Sequence, residues 1–339
     1  MNTAMTTKTT TPLRRHFHLL LALAVVLAMP LTMQSGSLAS EVLIYGLAAM
    51  GCNLLLGHTG LLSFGQGIFF GLGSYTIALT LTRWPLPMPL ALALAIGMGA
   101  LGAALVGWVA IRQRGTYFVT LTLAFAQMFY FIAYSMPGLT GGDNGLMDIP
   151  RPSLAVGKVT LWPLASPWQY YGFVAMVFLV AFWLLQQVSA SIFGRTLLAV
   201  RDNEERAGAI GYDLRLLKLQ AFVISGAVTG LAGALHAMMT GIAPLANAEY
   251  HTSEMILVMT VIGGTGNLLA SLLGSAFYLL VGDWLSTLWP RWLLILGVVL
   301  MVVSLGLQRG LWGLGESAWN RLTGRRRAGD DAASQGGRA

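Results

Sequence analysis

The chain has 339 residues, of which 56% are hydrophobic and only 10% are charged, and its formal net charge is +7. Soluble domains carry about 25% charged residues, so this composition excludes an ordinary soluble protein and predicts one that crosses a membrane repeatedly. The basic residues cluster at the N-terminus, near residues 112–114, in one central stretch and near the C-terminus. That distribution is typical of cytoplasmic loops of membrane proteins and argues against nucleic-acid binding.

The N-terminal residues 1–15 are polar, Thr-rich and basic, and we expect a disordered cytoplasmic tail there. An apolar run follows at residues 17–33. Because basic residues precede it and small residues follow it, a cleaved signal peptide is one interpretation. We favour a retained first span, since many further spans follow and none of them requires cleavage.

A second span at residues 42–56 leads into a stretch with six glycines, residues 57–75. Small residues let helices approach closely, and polar groups at membrane depth face protein or water, not lipid. Two interpretations stay open: tight helix packing with satisfied hydrogen bonds, or the lining of a translocation path at a broken helix. The candidate path residues in this stretch are His58, Thr59, Ser63, Gly65 and Gln66.

Three more spans are predicted at residues 89–111, 116–134 and 168–188. The loop at residues 136–167 is expected to be the longest outside the cytoplasm. Its GGDNG cluster indicates turns, because Gly, Asp and Asn tolerate left-handed backbone, and it is too short for a calcium-binding loop.

The central polar loop, residues 193–218, reads FGRTLLAVRDNEERAGAIGYDLRLLK. Its Arg and Lys excess predicts a cytoplasmic location. Apolar residues recur in it at roughly helical spacing, which predicts short amphipathic helices broken at Gly208 or Gly211. It is either a solvated connection or a docking platform for a cytoplasmic partner.

After a span at residues 219–241, an apolar stretch at 254–284 is interrupted by GGTGN at 263–267. A single crossing there would carry the C-terminal arginines outside. We therefore predict a hairpin of residues 254–262 and 268–281, followed by an inward crossing at 292–306. The predicted fold class is all-α: a polytopic membrane protein of about ten segments with broken or half helices and both termini cytoplasmic.

A weak internal repeat links the two halves, because GHTG at residues 57–60 resembles GGTG at residues 263–266. Paired glycine-interrupted segments in the two halves of a transporter point to a site at the membrane midplane. The candidate path residues of the second half are Gly264, Thr265, Gly266 and Asn267.

No motif for catalysis, metal binding or nucleotide binding occurs in the sequence, so no enzyme and no cofactor are predicted. Asp283 is the one acidic candidate at membrane depth, and it lies at the end of its segment. Ion-coupled transporters usually need such groups, so a stand-alone secondary transporter is the remoter interpretation. Energy is expected to enter from a partner through the central polar loop.

Several stretches together resemble the larger permease subfamily of bacterial ABC importers for branched-chain amino acids. They cover roughly residues 45–313 and include GCNLLLGHTGLLSFGQGIFFGLGSYT, RGTYFVTLTLAF, LTGGDNGL, the central polar loop and VIGGTGNLLASLLGSAF. The resemblance implies an all-helical inner-membrane permease for leucine, isoleucine or valine. It also implies a second homologous permease, two cytoplasmic ATPases that bind ATP, and a periplasmic binding protein. Similar relatives carry urea, short amides or aromatic acids.

ABC importers carry a Glu-Ala-Ala pattern and a later glycine in the loop that docks the ATPase. Glu205, Ala207 and Gly211 fit it, while Arg206 replaces the middle alanine and the downstream Ile-x-Leu-Pro is missing. The resemblance thus implies a permease domain at residues 16–313 with this docking loop at 193–218, and a basic cytoplasmic tail at 314–339. We expect Ala207 and Ile210 to pack into the ATPase, and a surface arginine such as Arg201 to matter little. The docking candidates are Asp202, Glu205, Ala207, Ile210 and Gly211.

Overall fold

Helices make up nearly all of this computed structural model, which describes residues 12–33, 35–84, 86–151, 154–156, 159–162, 164, 166–288, 291–306 and 310–313. The helices are α1 (Pro12–Thr32), α2 (Gly36–Thr59), α3 (Gln66–Thr82), α4 (Met88–Ala110), α5 (Thr116–Ser135), α6 (Pro137–Thr140), α7 (Pro167–Ala190), α8 (Ile192–Asp202), α9 (Glu204–Ala209), α10 (Leu214–Thr240), α11 (Tyr250–Gly263), α12 (Leu268–Leu288) and α13 (Trp292–Gly306). The predicted tail at 314–339 lies outside the described residues, and α1 already includes residues 12–15 of the other predicted tail.

The all-α, multi-pass prediction is confirmed. Among the described residues, six helices are long and apolar enough to cross a membrane: α2, α4, α5, α7, α10 and α12. The helices α1, α3, α11 and α13 are apolar as well. Together with the six, they make ten described helices of 14 or more residues. The predicted number of about ten membrane segments is a looser detail, since six described helices meet the length and composition of a membrane span.

Sequence signals at the helix ends explain why the long helices begin and stop where they do. The Asp213 carboxylate accepts hydrogen bonds from the backbone N–H groups of Arg215 and Leu216, and so caps the start of α10. At its other end Gly241 adopts a left-handed conformation with φ 75°, which glycine tolerates without steric cost. α2 ends in the same way at Gly60, with φ 74°.

Glycines bring α3 and α10 into backbone contact at the centre of the bundle. A methyl group added to Gly73 would collide with the carbonyl of Gly230, and one added to Gly233 would collide with the carbonyl of Phe70. Gly71 packs in the same way against Ala248. The predicted close approach of helices along this glycine stretch is therefore confirmed.

The GGTGN interruption separates two packed helices, as the hairpin prediction requires. α11 ends at Gly263 and α12 begins at Leu268. They are in close contact, because a methyl group on Gly274 of α12 would collide with the carbonyl of Met259 in α11. The prediction of two segments in place of one crossing is confirmed.

The long loop between α5 and α7 contains the described strands, β1 (Leu154–Val156) and β2 (Val159–Trp162), which pair antiparallel. The sequence did not indicate this short ribbon. The GGDNG cluster forms turns, with positive φ at Gly141, Gly142 and Gly145. Its turn chemistry is therefore as predicted.

The central polar loop forms two short helices, α8 and α9; the predicted break at Gly211 is confirmed, Gly208 lies inside α9, and a second break was not predicted. This second break lies at Asn203, whose backbone is extended at φ −160° and whose side chain accepts a hydrogen bond from the Arg206 N–H. Asn203 therefore acts as the N-cap of α9. Gly211, at φ 96°, follows the end of α9 and turns the chain toward α10.

Candidate functional site

The polar residues predicted to line a path at the end of α2 and before α3 are buried inside the chain, and Thr59, Ser63 and Gln66 form hydrogen bonds within it. The Gln66 side chain donates to the Ser225 hydroxyl at 3.0 Å and accepts from the Thr229 hydroxyl at 2.8 Å, which joins α3 to α10. Thr59 donates to the Leu55 carbonyl at 2.6 Å, within its own helix. These contacts favour the interpretation of tight packing with satisfied hydrogen bonds.

The segment between α2 and α3 is a true interruption of the helices, and other helices hold it in place. Its Phe64 N–H donates to the Thr122 hydroxyl of α5 at 3.2 Å, and the Ser63 hydroxyl accepts from the Gly65 N–H at 3.1 Å. His58 is also buried, and in the described part of the chain its Nδ1 has no hydrogen-bond partner.

The two glycine motifs of the internal repeat lie against each other at Gly57 and Gly266, and the Asn53 side chain of α2 binds the second motif. Its amide nitrogen donates to the Ser271 hydroxyl and the Asn267 carbonyl, both at 2.8 Å, and its oxygen accepts from the Gly266 N–H at 2.8 Å. The amide nitrogen also lies 3.3 Å from the Gly264 carbonyl. One buried amide therefore fixes the α11–α12 loop against α2.

Sequence reasoning missed Asn53, although an asparagine inside an apolar span is itself a signal of a buried polar contact. The sequence predicted that each motif of the repeat follows one apolar segment and precedes another, and the structure agrees. GHTG lies at the end of α2, which stops at Thr59, and GGTGN leads from the end of α11 to the start of α12 at Leu268. Thr265 and Gly266 are exposed there, while Gly264 is buried.

Arg201 of α8 connects the central polar loop to this junction. Its guanidinium donates a hydrogen bond to the Gly57 carbonyl in the last turn of α2. A cation at this position also interacts favourably with the negative end of the helix dipole. The central polar loop and both glycine motifs consequently lie at the same end of the bundle.

Glu204, at the start of α9, forms an ion cluster that the sequence did not reveal. Its carboxylate lies 2.8 Å from the Lys218 ammonium in α10 and 3.5 Å from the Arg114 guanidinium between α4 and α5. Lys218 is 5% exposed, and a buried cation needs such a partner. Glu204 thereby attaches α9 to the transmembrane helices.

The predicted docking residues divide into two groups. Ala207 is 4% exposed and packs within this chain, so the expectation that it packs into a partner does not fit its position. Ile210 is 73% exposed, and Asp202 and Glu205 are exposed as well. A methyl group on Gly211 would meet nothing, and only its positive φ restricts substitution.

α5 presents an unusual outer face. Only 22% of an apolar 18-residue stretch of this helix is buried, against 89% of the corresponding stretch of α2. Tyr117, Thr120, Ala124 and Met128 follow one another at helical spacing along this exposed side. Tyr117 and Thr120 bring hydroxyl groups to the start of this side, and the Thr120 hydroxyl donates to carbonyls of its own helix.

Comparison with known proteins identifies similar chains. Residues 34–305 match the family described as branched-chain amino acid transport system, permease component. The high-affinity branched-chain amino acid transport system permease protein LivM of Escherichia coli is 27% identical over 318 residues, which cover 88% of this chain and 75% of LivM.

More distant similarity extends to importers of other solutes. The autoinducer 2 import system permease protein LsrC of Photorhabdus laumondii is 29% identical over 218 residues, covering 60% of each chain. The fructose import permease protein FrcC of Rhizobium meliloti is 28% identical over 149 residues, covering 41% of this chain and 40% of FrcC. No solved structure matches the chain.

Proposed function

We infer, since the chain belongs to the family of permease components of branched-chain amino acid transport systems, that it is the transmembrane permease subunit of an ATP-driven ABC importer for leucine, isoleucine and valine. The observation that carries this proposal is the match to LivM over 88% of the chain. LsrC and FrcC share less of the chain, which favours the amino-acid assignment over autoinducer 2 or fructose.

We place the protein in the bacterial inner membrane with both termini and the central polar loop in the cytoplasm. Arg112, Arg114, Arg201 and Lys218 support this orientation, because they lie at one end of the bundle around α8 and α9. Cytoplasmic ends of membrane helices carry an excess of arginine and lysine.

The energy of ATP hydrolysis by two partner subunits is proposed to be transmitted to this chain at α8 and α9. Asp202, Glu205 and Ile210 are exposed there and available to an ATPase. The hydrogen bond from Arg201 to Gly57 and the Glu204–Lys218 ion pair join this surface to α2 and α10. A displacement of α8 would therefore move α2 and, through Asn53, the α11–α12 loop.

The substrate path is proposed to run along the exposed face of α5 toward a second, homologous permease. The row from Tyr117 to Met128 supports this, because it combines hydroxyl and aromatic groups and has few contacts within the chain. The exposed Thr265 and Gly266 are proposed to lie at the cytoplasmic mouth of the path. A periplasmic binding protein is proposed to deliver the solute at the opposite end.

The test is ATP-dependent uptake of labelled leucine into proteoliposomes that contain this chain, the second permease, both ATPases and the binding protein. Unlabelled isoleucine and valine should compete, whereas urea, short amides, aromatic acids and fructose should not. Competition by one of the latter would reassign the substrate. Uptake by this chain alone, driven by an ion gradient, would overturn the ABC mechanism in favour of a secondary transporter.

A further inference from the structure

A cleft of about 280 Å³ opens beside α9, at the end of the bundle that carries α8. It lies between the end of α4 and the start of α10. Four cations and two carboxylates line it, so its net charge is positive: Arg112, Arg114, Arg215, Lys218, Glu204 and Asp213.

The two carboxylates are already engaged. Glu204 binds Lys218 and Arg114, and Asp213 accepts the two backbone N–H groups at the start of α10. Within the described part of the chain, neither Arg112 nor Arg215 lies within salt-bridge distance of a carboxylate. Two guanidinium groups therefore line the cleft without an anionic partner.

The cleft adjoins the outer, apolar surface of α4. The guanidinium of Arg112 stacks over the Trp108 ring at 4.6 Å, and that tryptophan is 63% exposed. One helical turn further into the bundle, Leu105 is 65% exposed on the same helix. Tryptophan beside arginine at the end of an apolar helix is typical of the level of lipid headgroups.

We propose that this cleft binds the phosphate of an anionic phospholipid from the cytoplasmic leaflet. Arg112 and Arg215 would hold the phosphate oxygens, to which guanidinium groups donate paired hydrogen bonds. Trp108 and Leu105 would contact the glycerol region and the upper acyl chain. Basic pockets between membrane helices on the cytoplasmic side bind phosphate headgroups in this way.

A lipid is favoured over an acidic protein surface as the ligand, because the basic residues of the cleft lie directly beside exposed apolar side chains of α4. The proposal uses the orientation given above, with α8 and α9 in the cytoplasm. It does not depend on the transported solute, and uptake of leucine tests the transport function separately. A failure of one proposal is therefore distinguishable from a failure of the other.

The experiment measures phospholipid binding to the purified full chain by native mass spectrometry. Phosphatidylglycerol should be retained at detergent concentrations that remove phosphatidylcholine. In the double variant R112Q/R215Q its affinity should fall roughly 30-fold, the loss expected for two cations near a membrane surface. The matched variant R195Q/R206Q removes two exposed cations of α8 and α9 that lie outside the cleft, and it should bind as the wild type does.

R112K/R215K keeps the charge and should retain most of the binding, which separates loss of charge from loss of folding. Equal retention of phosphatidylglycerol and phosphatidylcholine by the wild type would overturn the proposal. So would an equal loss of binding in R195Q/R206Q. Displacement of the lipid by inorganic phosphate would assign the cleft to a soluble phosphate, and binding of phosphatidylglycerol only after addition of the ATPase would assign it to the subunit interface.

Discussion

The guanidinium of Arg201 in α8 donates a hydrogen bond to the main-chain carbonyl of Gly57 at the end of α2. The contact joins residues that are 144 positions apart in sequence. It is the direct link between the proposed ATPase-docking surface and the most buried of the long apolar helices in the described part of the chain. Arg201 is exposed, as a surface arginine is expected to be, and the sequence did not indicate that it has this partner within the chain.

Replacing Arg201 with alanine is expected to uncouple ATP hydrolysis from transport. A hydrogen bond from an exposed charged group contributes about 1 kcal/mol or less, so leucine uptake per ATP hydrolysed should fall by roughly 3- to 5-fold. The measurement is the ratio of uptake to hydrolysis in proteoliposomes. R195A is the control, because Arg195 lies in the same helix and, in the described part of the chain, its side chain forms no hydrogen bond to α2. An unchanged ratio in R201A would show that force does not pass through this contact.

The Glu204–Lys218 pair makes a prediction about stability. In E204Q the buried ammonium of Lys218 loses its 2.8 Å partner and the protein should melt at a lower temperature. A fully buried pair broken in this way costs about 3–5 kcal/mol, and the cost here should be smaller because Glu204 is 29% exposed. Thermal unfolding in detergent measures the effect.

E205Q is the matched control for that experiment, since Glu205 is the exposed neighbour of Glu204. The double variant E204Q/K218M removes both charges and should recover most of the lost stability. If E204Q and E205Q melt at the same temperature, the ion pair does not hold α9 to α10.

Gly73 provides a steric test of the α3–α10 crossing. In G73A the added methyl group would collide with the Gly230 carbonyl, and overpacking of this kind costs about 1–3 kcal/mol. The melting temperature and the yield of folded protein should both fall. G97A is the control, because a methyl group on Gly97 of α4 meets no atom within 4 Å. Equal effects of the two substitutions would contradict the backbone contact.

The proposed orientation predicts which loops a membrane-impermeant maleimide reaches in intact spheroplasts. A cysteine introduced at Asp143 should be labelled from outside, whereas one at Ile210 should be labelled only after the membrane is opened. Both positions are exposed. The native Cys52 is 2% exposed and should give little background. Labelling of the cysteine at position 210 from outside would invert the assigned topology.

The sequence predicted the elements of the fold that depend on local signals. Composition and the length of the apolar runs predicted the membrane helices. The α11–α12 hairpin was predicted because a single crossing would place the C-terminal arginines outside the cytoplasm. The glycines of α3 predicted a close crossing, although not that Gly230 of α10 would be the partner.

The contacts of the candidate site could not be predicted, because they join residues far apart in sequence. Nothing local distinguishes Arg201 from Arg195, or Glu204 from Glu205, in a loop full of charge. The sequence does not single out the break at Asn203, because glycine is the stronger helix breaker by propensity, whereas an asparagine N-cap starts a new helix equally well. A contact such as that between Asn53 and Gly266 requires the packing of α2 against α12.

The interleaving of the two halves has a consequence for biosynthesis. α2 ends at Thr59, whereas α12, which packs against it, begins at Leu268. At a synthesis rate of about 5–20 residues per second, roughly 10–40 s separate the emergence of the two helices from the ribosome. Throughout that interval the Asn53 amide lacks the backbone groups that bind it in the finished protein. Insertion of the early helices into the membrane and completion of their packed core therefore occur at different times during the synthesis of each chain.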